Sequence, residues 1–222
     1  MFSRFFANDP PRSWFRRFFY RFWQSVWQMV LLVFFNVRVH NQHLLPMTGA
    51  ALICSNHQSN LDPIVIGCVS PRRLNFLAKK DLFKFPLGII LKLLDSIPID
   101  REGMGIGGMK ETLRRLKKQE PVLLFPEGQR SWDGELLPLM NGFVALVKRV
   151  PTTIVPVGLE GPHDAWPRGA AFPRPGQIQV VIGEPIGHAE ITGLTDDEIS
   201  QMLFDRINAC LLEARRHYQH VS

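Results

Sequence analysis

A chain of 222 residues with 45% hydrophobic content has room for one α/β domain with a sizeable core plus a terminal appendage. Its three cysteines, Cys54, Cys68 and Cys210, lie far apart and form no CxxC pair. That pattern argues against a disulfide framework or a zinc site and for a reducing compartment, so no metal is expected. The net charge of +6 is concentrated in residues 1–45, where Arg4, Arg12, Arg16, Arg17, Arg21 and Arg38 face one acid, Asp9. The remainder is nearly neutral, and no nucleic-acid partner is expected.

The first 35 positions hold thirteen of the 23 aromatic residues. Arginines mixed with Phe and Trp suit the lipid headgroup region, where rings sit at the apolar boundary and guanidinium groups meet phosphate. Residues 14–35 read as a helix, but Arg16, Arg17, Arg21, Gln24, Ser25 and Gln28 interrupt its apolar run. The uninterrupted stretch from Met29 to Phe35 is far shorter than the ~20 residues of a transmembrane helix. With no Ala-x-Ala-like site after it, a secretory signal peptide is not expected. An amphipathic helix docked on an anionic membrane surface is the favoured reading. A helix packed on the domain's own core and a tilted span are the alternatives.

Residues 41–222 read as a separate α/β domain in which short apolar runs alternate with helical patterns. The first run, Ala50–Cys54, is short enough for a buried strand. Ser55-Asn56-His57-Gln58-Ser59-Asn60-Leu61-Asp62-Pro63 follows, then the apolar Ile64–Val69. Asp62 before Pro63 is a helix N-cap pattern, which puts His57 in a strand-to-helix turn. Residues five apart on a straight helix point about 140° away from each other, so His57 and Asp62 meet only if the chain bends between them. If they meet, the carboxylate fixes the imidazole tautomer and leaves the other nitrogen free to take a proton. The plainer alternatives are a capping aspartate and a solvated histidine. No Gly-x-Ser-x-Gly elbow surrounds Ser59, so a serine nucleophile is not expected.

Further along, Leu74–Ala78 reads as a strand, Leu82–Leu94 as a helix and Ser96–Ile99 as another strand. Asp100-Arg101-Glu102 follows, where the Arg101 fork is suited to clamp a phosphate or, more plainly, to pair with a neighbouring acid. Gly103–Gly108 lacks the Walker lysine-serine pair and the dinucleotide spacing, so it reads as a flexible entry into a helix over Ile106–Lys118. The basic face of that helix, Lys110, Arg114, Arg115, Lys117 and Lys118, is ordinarily solvated, though it has the charge to attract an anionic carrier. Strand Pro121–Phe125 leads into Pro126-Glu127-Gly128-Gln129-Arg130-Ser131. There Gly128 permits close backbone approach, and Arg130 is a second phosphate-clamp candidate.

A helix is expected over Asn141–Lys148, then a strand over Thr153–Leu159 whose Pro156 suggests an edge or a bulge facing the site. Residues 161–176 read as an extended loop, Gln177–Ile182 as a strand. Thr195-Asp196-Asp197-Glu198 is a capping box that opens a helix to about His217, with Ile199, Met202, Leu203 and Ile207 on its core face.

Four of these segments together resemble the blocks of the glycerolipid acyltransferase family, typified by 1-acyl-glycerol-3-phosphate acyltransferase. His57 to Asp62 is similar to its His-x4-Asp block, and Ile99-Asp100-Arg101 to the second. Phe125-Pro126-Glu127-Gly128 with Arg130-Ser131 matches the third, except that Gln129 stands where threonine is usual. Ile154-Val155-Pro156-Val157 matches the fourth. The order and gaps fit over about residues 40–190. The resemblance implies an α/β fold with a mixed central sheet flanked by helices, and an N-terminal membrane-docking helix. It implies an enzyme at the cytoplasmic face of a membrane, the inner membrane in a bacterium. His57 and Asp62 would be catalytic, activating the 2-hydroxyl of lysophosphatidic acid against an acyl thioester. Arg101, Glu127, Gly128 and Arg130 would bind the acceptor. Glu127 would orient a neighbour or the glycerol hydroxyl, Lys79 and Lys80 would add positive potential, and backbone N–H groups near Gly128 would hold the oxyanion. No cofactor is implied; acyl-CoA or acyl carrier protein would be the donor substrate. Another lysolipid or glycerol 3-phosphate as acceptor, a hydrolase, and a non-catalytic membrane-binding protein are the competing readings.

Overall fold

The computed structural model describes residues 14–80, 96–99 and 105–219. The helix expected over 82–94 lies outside these residues. Among them, a seven-stranded mixed sheet forms the centre, with strands β1 (Val37–His40), β2 (Ala51–Ser55), β3 (Asn75–Lys79), β4 (Ile97–Ile99), β5 (Pro121–Leu124), β6 (Thr153–Glu160) and β7 (Ile178–Ile182). Their order is β1-β7-β6-β2-β5-β3-β4. The run from β6 to β4 is parallel, β7 is antiparallel to β6, and β1 is parallel to β7.

The helices are α1 (Trp14–Phe35), α2 (Asp62–Val69), α3 (Gly105–Lys117), α4 (Val144–Arg149), α5 (Pro162–Ala165), α6 (His188–Ile191) and α7 (Asp196–Gln219). Strands β2, β5 and β7 are buried at every position, which explains their largely apolar runs; Gln179 of β7 lies 2.9 Å from His40 Nε2 through its Oε1. On one face, Leu52, Val122 and Ile154 pack with Leu116 of α3, Leu146 of α4 and Leu203 of α7. On the other, Ile53, Leu123, Val155 and Ile178 pack with Leu31 and Phe35 of α1 and with Val65 of α2.

Helix α7 starts as its sequence predicts. The Thr195 N–H donates to Glu198 Oε2 at 2.7 Å, and the Glu198 N–H donates back to Thr195 Oγ1 at 3.3 Å. Its backbone at Cys210 and Leu211 passes so close to β6 that a Cβ on Gly158 would overlap it. The fourth sequence block alternates between the two faces, Ile154 packing on the α7 side and Val155 and Val157 on the α1–α2 side, and Pro156 O lies 4.0 Å from Cys210 Sγ, so an edge position is not what the fold provides. Pro156 is interior to the sheet, between β2 and β7. Its missing N–H is accommodated by a bulge beyond β7. Gly183 N–H donates to Pro156 O at 2.9 Å and Ile186 pairs with Ile154, so Glu184 and Pro185 stand opposite Val155 alone.

Strand β1 is short, Val-Arg-Val-His, and follows α1 after one residue, so its alternation was not separated from the helix in the sequence. Asn36, in the left-handed region at φ 36°, makes the break. Helix α1 has two faces. Tyr20, Leu31 and Phe35 are buried, and Gln24 and Gln28 reach carbonyls of α2 (Gly67 O at 3.0 Å, Cys68 O at 2.9 Å). Phe18, Phe22, Met29, Leu32, Val33 and Phe34 are exposed. No helix among the described residues is long and apolar enough to cross a membrane.

Candidate active site

Strands β2 and β5 are parallel neighbours, so the loops leaving their carboxyl ends share one edge of the sheet. The first loop carries His57 and the second carries Glu127. After β2 the chain turns at Asn60 and Leu61 and enters α2 with Asp62 as its first residue. Leu61 occupies the N-cap position and makes no side-chain cap, so the capping role expected of Asp62 is not what it does. Its carboxylate instead folds back over the loop. Asp62 Oδ2 accepts from Gln58 N–H at 2.6 Å, Ser59 N–H at 2.7 Å and His57 Nδ1 at 2.7 Å.

Asp62 is fully buried, while the His57 side chain remains 19% exposed. An ionised carboxylate only accepts, so the imidazole carries its proton on Nδ1 and presents a lone pair at Nε2. Among the described residues, Nε2 has no hydrogen-bond partner. The Phe125 ring stacks on the imidazole at 4.0 Å between centroids and 17° between planes, which restricts rotation of the imidazole.

Glu127 holds a neighbour, the first of the two roles its sequence block implied. Its Oε1 accepts the His57 N–H at 2.6 Å and its Oε2 accepts the Leu137 N–H at 2.9 Å. Both oxygens are thus occupied in holding the backbone that carries the histidine. Ser131 N–H donates to His57 O at 2.8 Å, so the loop after β5 grips both polar backbone groups of His57. Burial pushes the Glu127 pKa up to about 7, assisted by the Asp62 charge and opposed by the Leu137 and His57 N–H bonds.

Gly128 sits at φ 71°, and a Cβ there would run into Met140 Sδ. The positive φ is what requires glycine here, since the exposed Met140 side chain can move aside. The Gly128 N–H donates to Phe125 O at 3.1 Å, so it is already engaged and is not a free oxyanion donor. Arg130 is half-buried, and its guanidinium makes no hydrogen bond or ion pair among the described residues. Partial burial lowers its pKa, as does the neighbouring Arg168 charge, while Asp62 acts in the opposite sense. Arg101 lies outside the described residues.

The basic face of α3 is partly neutralised. Arg115 pairs with Glu111 at 2.8 Å and Glu120 at 3.1 Å, and Arg114 pairs with Glu111. Its last turn leads into the start of β5, the end of the sheet opposite His57.

Sequence reasoning missed several supports. The Asn56 amide donates to Leu159 O at 2.9 Å and accepts from Leu159 N–H at 2.8 Å, fastening the catalytic loop to β6. Gln58 Nε2 donates to Gly134 O at 2.8 Å, and Ser59 Oγ donates to Trp166 O at 2.7 Å. Their only sequence signal is a cluster of polar residues just past a buried strand.

A family model described as Acyltransferase matches residues 36–160. The chain is 30% identical over 179 residues to the 1-acyl-sn-glycerol-3-phosphate acyltransferase of Bacillus subtilis, covering 80% of this chain and 87% of that one. This chain is an acyltransferase of that family. It is also 36% identical to the enzyme of that name from Limnanthes alba, over 70% of this chain and 57% of the relative. The human alpha form is 32% identical over 81% of this chain and 64% of its own length. The chain thus spans nearly all of the bacterial relative and little more than half of the plant one. The crystal structure of the 1-acyl-sn-glycerophosphate acyltransferase from Thermotoga maritima superposes with a TM-score of 0.81 at 20% identity, covering 94% of this chain and 84% of that one. That likeness establishes the shared α/β fold.

The raised Glu127 value has a measurable consequence. Glu127 holds its proton more tightly in the folded than in the unfolded acyltransferase, so the folded state loses stability as pH climbs from 4.5 to about 7. Glu127→Gln removes this titration. The stability of wild type relative to Glu127→Gln, from chemical denaturation at a series of pH values, should fall across that interval and level off above it. A difference independent of pH would contradict the burial of this carboxyl.

Proposed function

We propose that this acyltransferase moves a fatty acyl group from an acyl thioester to the 2-hydroxyl of lysophosphatidic acid, giving phosphatidic acid. The observation that carries the reading is the 2.7 Å bond from His57 Nδ1 to buried Asp62, with Nε2 left unpartnered on a partly exposed side chain. The names of the Bacillus subtilis and human relatives supply the acceptor class.

Nε2 takes the proton of the 2-hydroxyl as the oxygen attacks the thioester carbonyl. The Asp62 charge stabilises the imidazolium that forms. Collapse of the tetrahedral intermediate breaks the C–S bond, and the departing thiolate, of coenzyme A or of acyl carrier protein, receives that proton. A thioester is already activated, so no acyl-enzyme is required. Arg130, whose guanidinium has no protein acceptor among the described residues, holds the acceptor phosphate and fixes the hydroxyl near His57. Arg101 is assigned the same task from its sequence block alone. Gly128 shapes the turn that presents Arg130.

The acceptor is a lipid, and the exposed face of α1 is its route to the enzyme. Residues 1–40 form the membrane-associating segment, and the arginines there favour an anionic surface on the cytoplasmic side. Helix α1 ends beside the active edge of the sheet. Val37 pairs with Ile178 at the start of β7, which lies against the carboxyl end of β6, and Gly176 N–H donates to Phe34 O at 3.0 Å. The carboxyl end of the exposed α1 face therefore lies on the side of the sheet from which the His57 loop leaves.

His57→Ala and Asp62→Asn should each lower kcat for transfer to lysophosphatidic acid by at least about 10²-fold, with His57→Ala still unfolding cooperatively and Asp62→Asn showing a lower Tm, because it loses the charge that holds the loop. Normal turnover by a folded His57→Ala protein would remove the base from the mechanism. Met29, Leu32 and Val33 are exposed, so changing all three to serine leaves the core intact. The triple variant should co-sediment less with anionic vesicles while keeping its Tm. Undiminished sedimentation would contradict docking through this face.

A further inference from the structure

Arg168 belongs to the loop between α5 and β7, outside all four sequence blocks. Its Nη1 donates to Arg130 O at 3.0 Å, and its guanidinium carbon lies 4.0 Å from the centroid of the Trp132 ring. Three bonds close this arrangement around the catalytic loop. Ser131 N–H reaches His57 O, Arg168 reaches Arg130 O, and Ser59 Oγ reaches Trp166 O, two residues before Arg168. The arginine is thus tied through both loops to the segment that carries His57 and Asp62.

The bond from Arg168 to the Arg130 carbonyl puts a second guanidinium beside Arg130, whose pKa is lowered first by partial burial and then by the Arg168 charge. Neither has a carboxylate within ion-pair distance among the described residues. Trp132 is 69% exposed, so its stacking on Arg168 contributes little to the core, but it pins a side chain that would otherwise be mobile. Most of the N–H donors on this guanidinium are unspent. Two like charges without carboxylate partners, on loops tied to the His57 segment, are compensated when a doubly charged anion arrives.

We propose that Arg168 is a second guanidinium of the acceptor site, paired with Arg130 to take a dianionic phosphate monoester and to disfavour phosphodiester lysolipids. This rests on the acyl-transfer reading of the site. A monoester offers three terminal oxygens and two charges to the pair. A diester offers two such oxygens and one charge, so it leaves one guanidinium poorly compensated.

The test compares wild type with Arg168→Gln and Arg168→Lys at saturating acyl-CoA, using lysophosphatidic acid and lysophosphatidylglycerol as acceptors. Arg168→Gln should raise KM for lysophosphatidic acid about tenfold, the scale of one charge-assisted hydrogen bond, and erode the monoester preference. The donor KM and the Tm should not move. Arg168→Lys should recover part of the loss, because an ammonium restores charge without the fork. Unchanged acceptor KM and selectivity in a folded Arg168→Gln protein would overturn the proposal, as would an equal loss for both acceptors. Wild type that transfers to neither lysolipid would defeat the functional reading instead. The anion site is then read directly from tryptophan fluorescence on adding glycerol 3-phosphate. A saturable change in wild type that is lost in both Trp132→Phe and Arg168→Gln upholds it, and no such change overturns it.

Discussion

One carboxylate oxygen organises the active edge of this acyltransferase. Asp62 Oδ2 accepts from two backbone N–H groups and one imidazole nitrogen, and the course of the loop from His57 to Ser59 follows from satisfying it. A buried carboxylate is costly unless its charge is met by donors. The loop from His57 to Ser59 wraps around the oxygen to supply them. That wrapping brings residues five apart into contact, and it sets which imidazole nitrogen is free. The negative charge at the first turn of α2 also faces the positive end of the helix dipole, so the helix start and the dyad stabilise each other.

Around this centre the charges are sorted by layer. Asp62 and Glu127 are both buried, and each is held by backbone N–H groups. Arg130 and Arg168 are half-buried and lie outward of them. Glu127 fixes the position of the histidine backbone, Phe125 restricts its ring, and Asp62 selects its tautomer. Each constraint comes from a different direction, so the imidazole is preorganised before any substrate arrives.

Much of this was legible in the sequence, for physical reasons. Strands β2, β5, β6 and β7 announced themselves because a sheet covered on both faces demands largely apolar runs. Helix α7 was marked by its capping box. The His57–Asp62 pair was visible because a Ser-Asn-rich turn between strand and helix allows the needed bend. The role of Asp62 within the helix was not visible, since an aspartate before proline reads equally as a cap. Glu127 showed the same limit, because spacing reveals a carboxylate near the site but not which N–H groups claim its oxygens. Strand β1 was hidden by the apolar helix that runs into it. Asn56, Phe125 and Arg168 act across distances of tens of residues along the chain, where sequence pattern carries no signal.

The account depends most on the tautomer of one ring. Nitrogen-detected NMR of histidine-labelled enzyme, at a pH where His57 is neutral, reads it directly. The proton should reside on Nδ1, with Nε2 unprotonated, and Asp62→Asn should abolish that preference. A proton resident on Nε2 in the folded wild-type enzyme would leave no lone pair facing the acceptor hydroxyl and would contradict the mechanism.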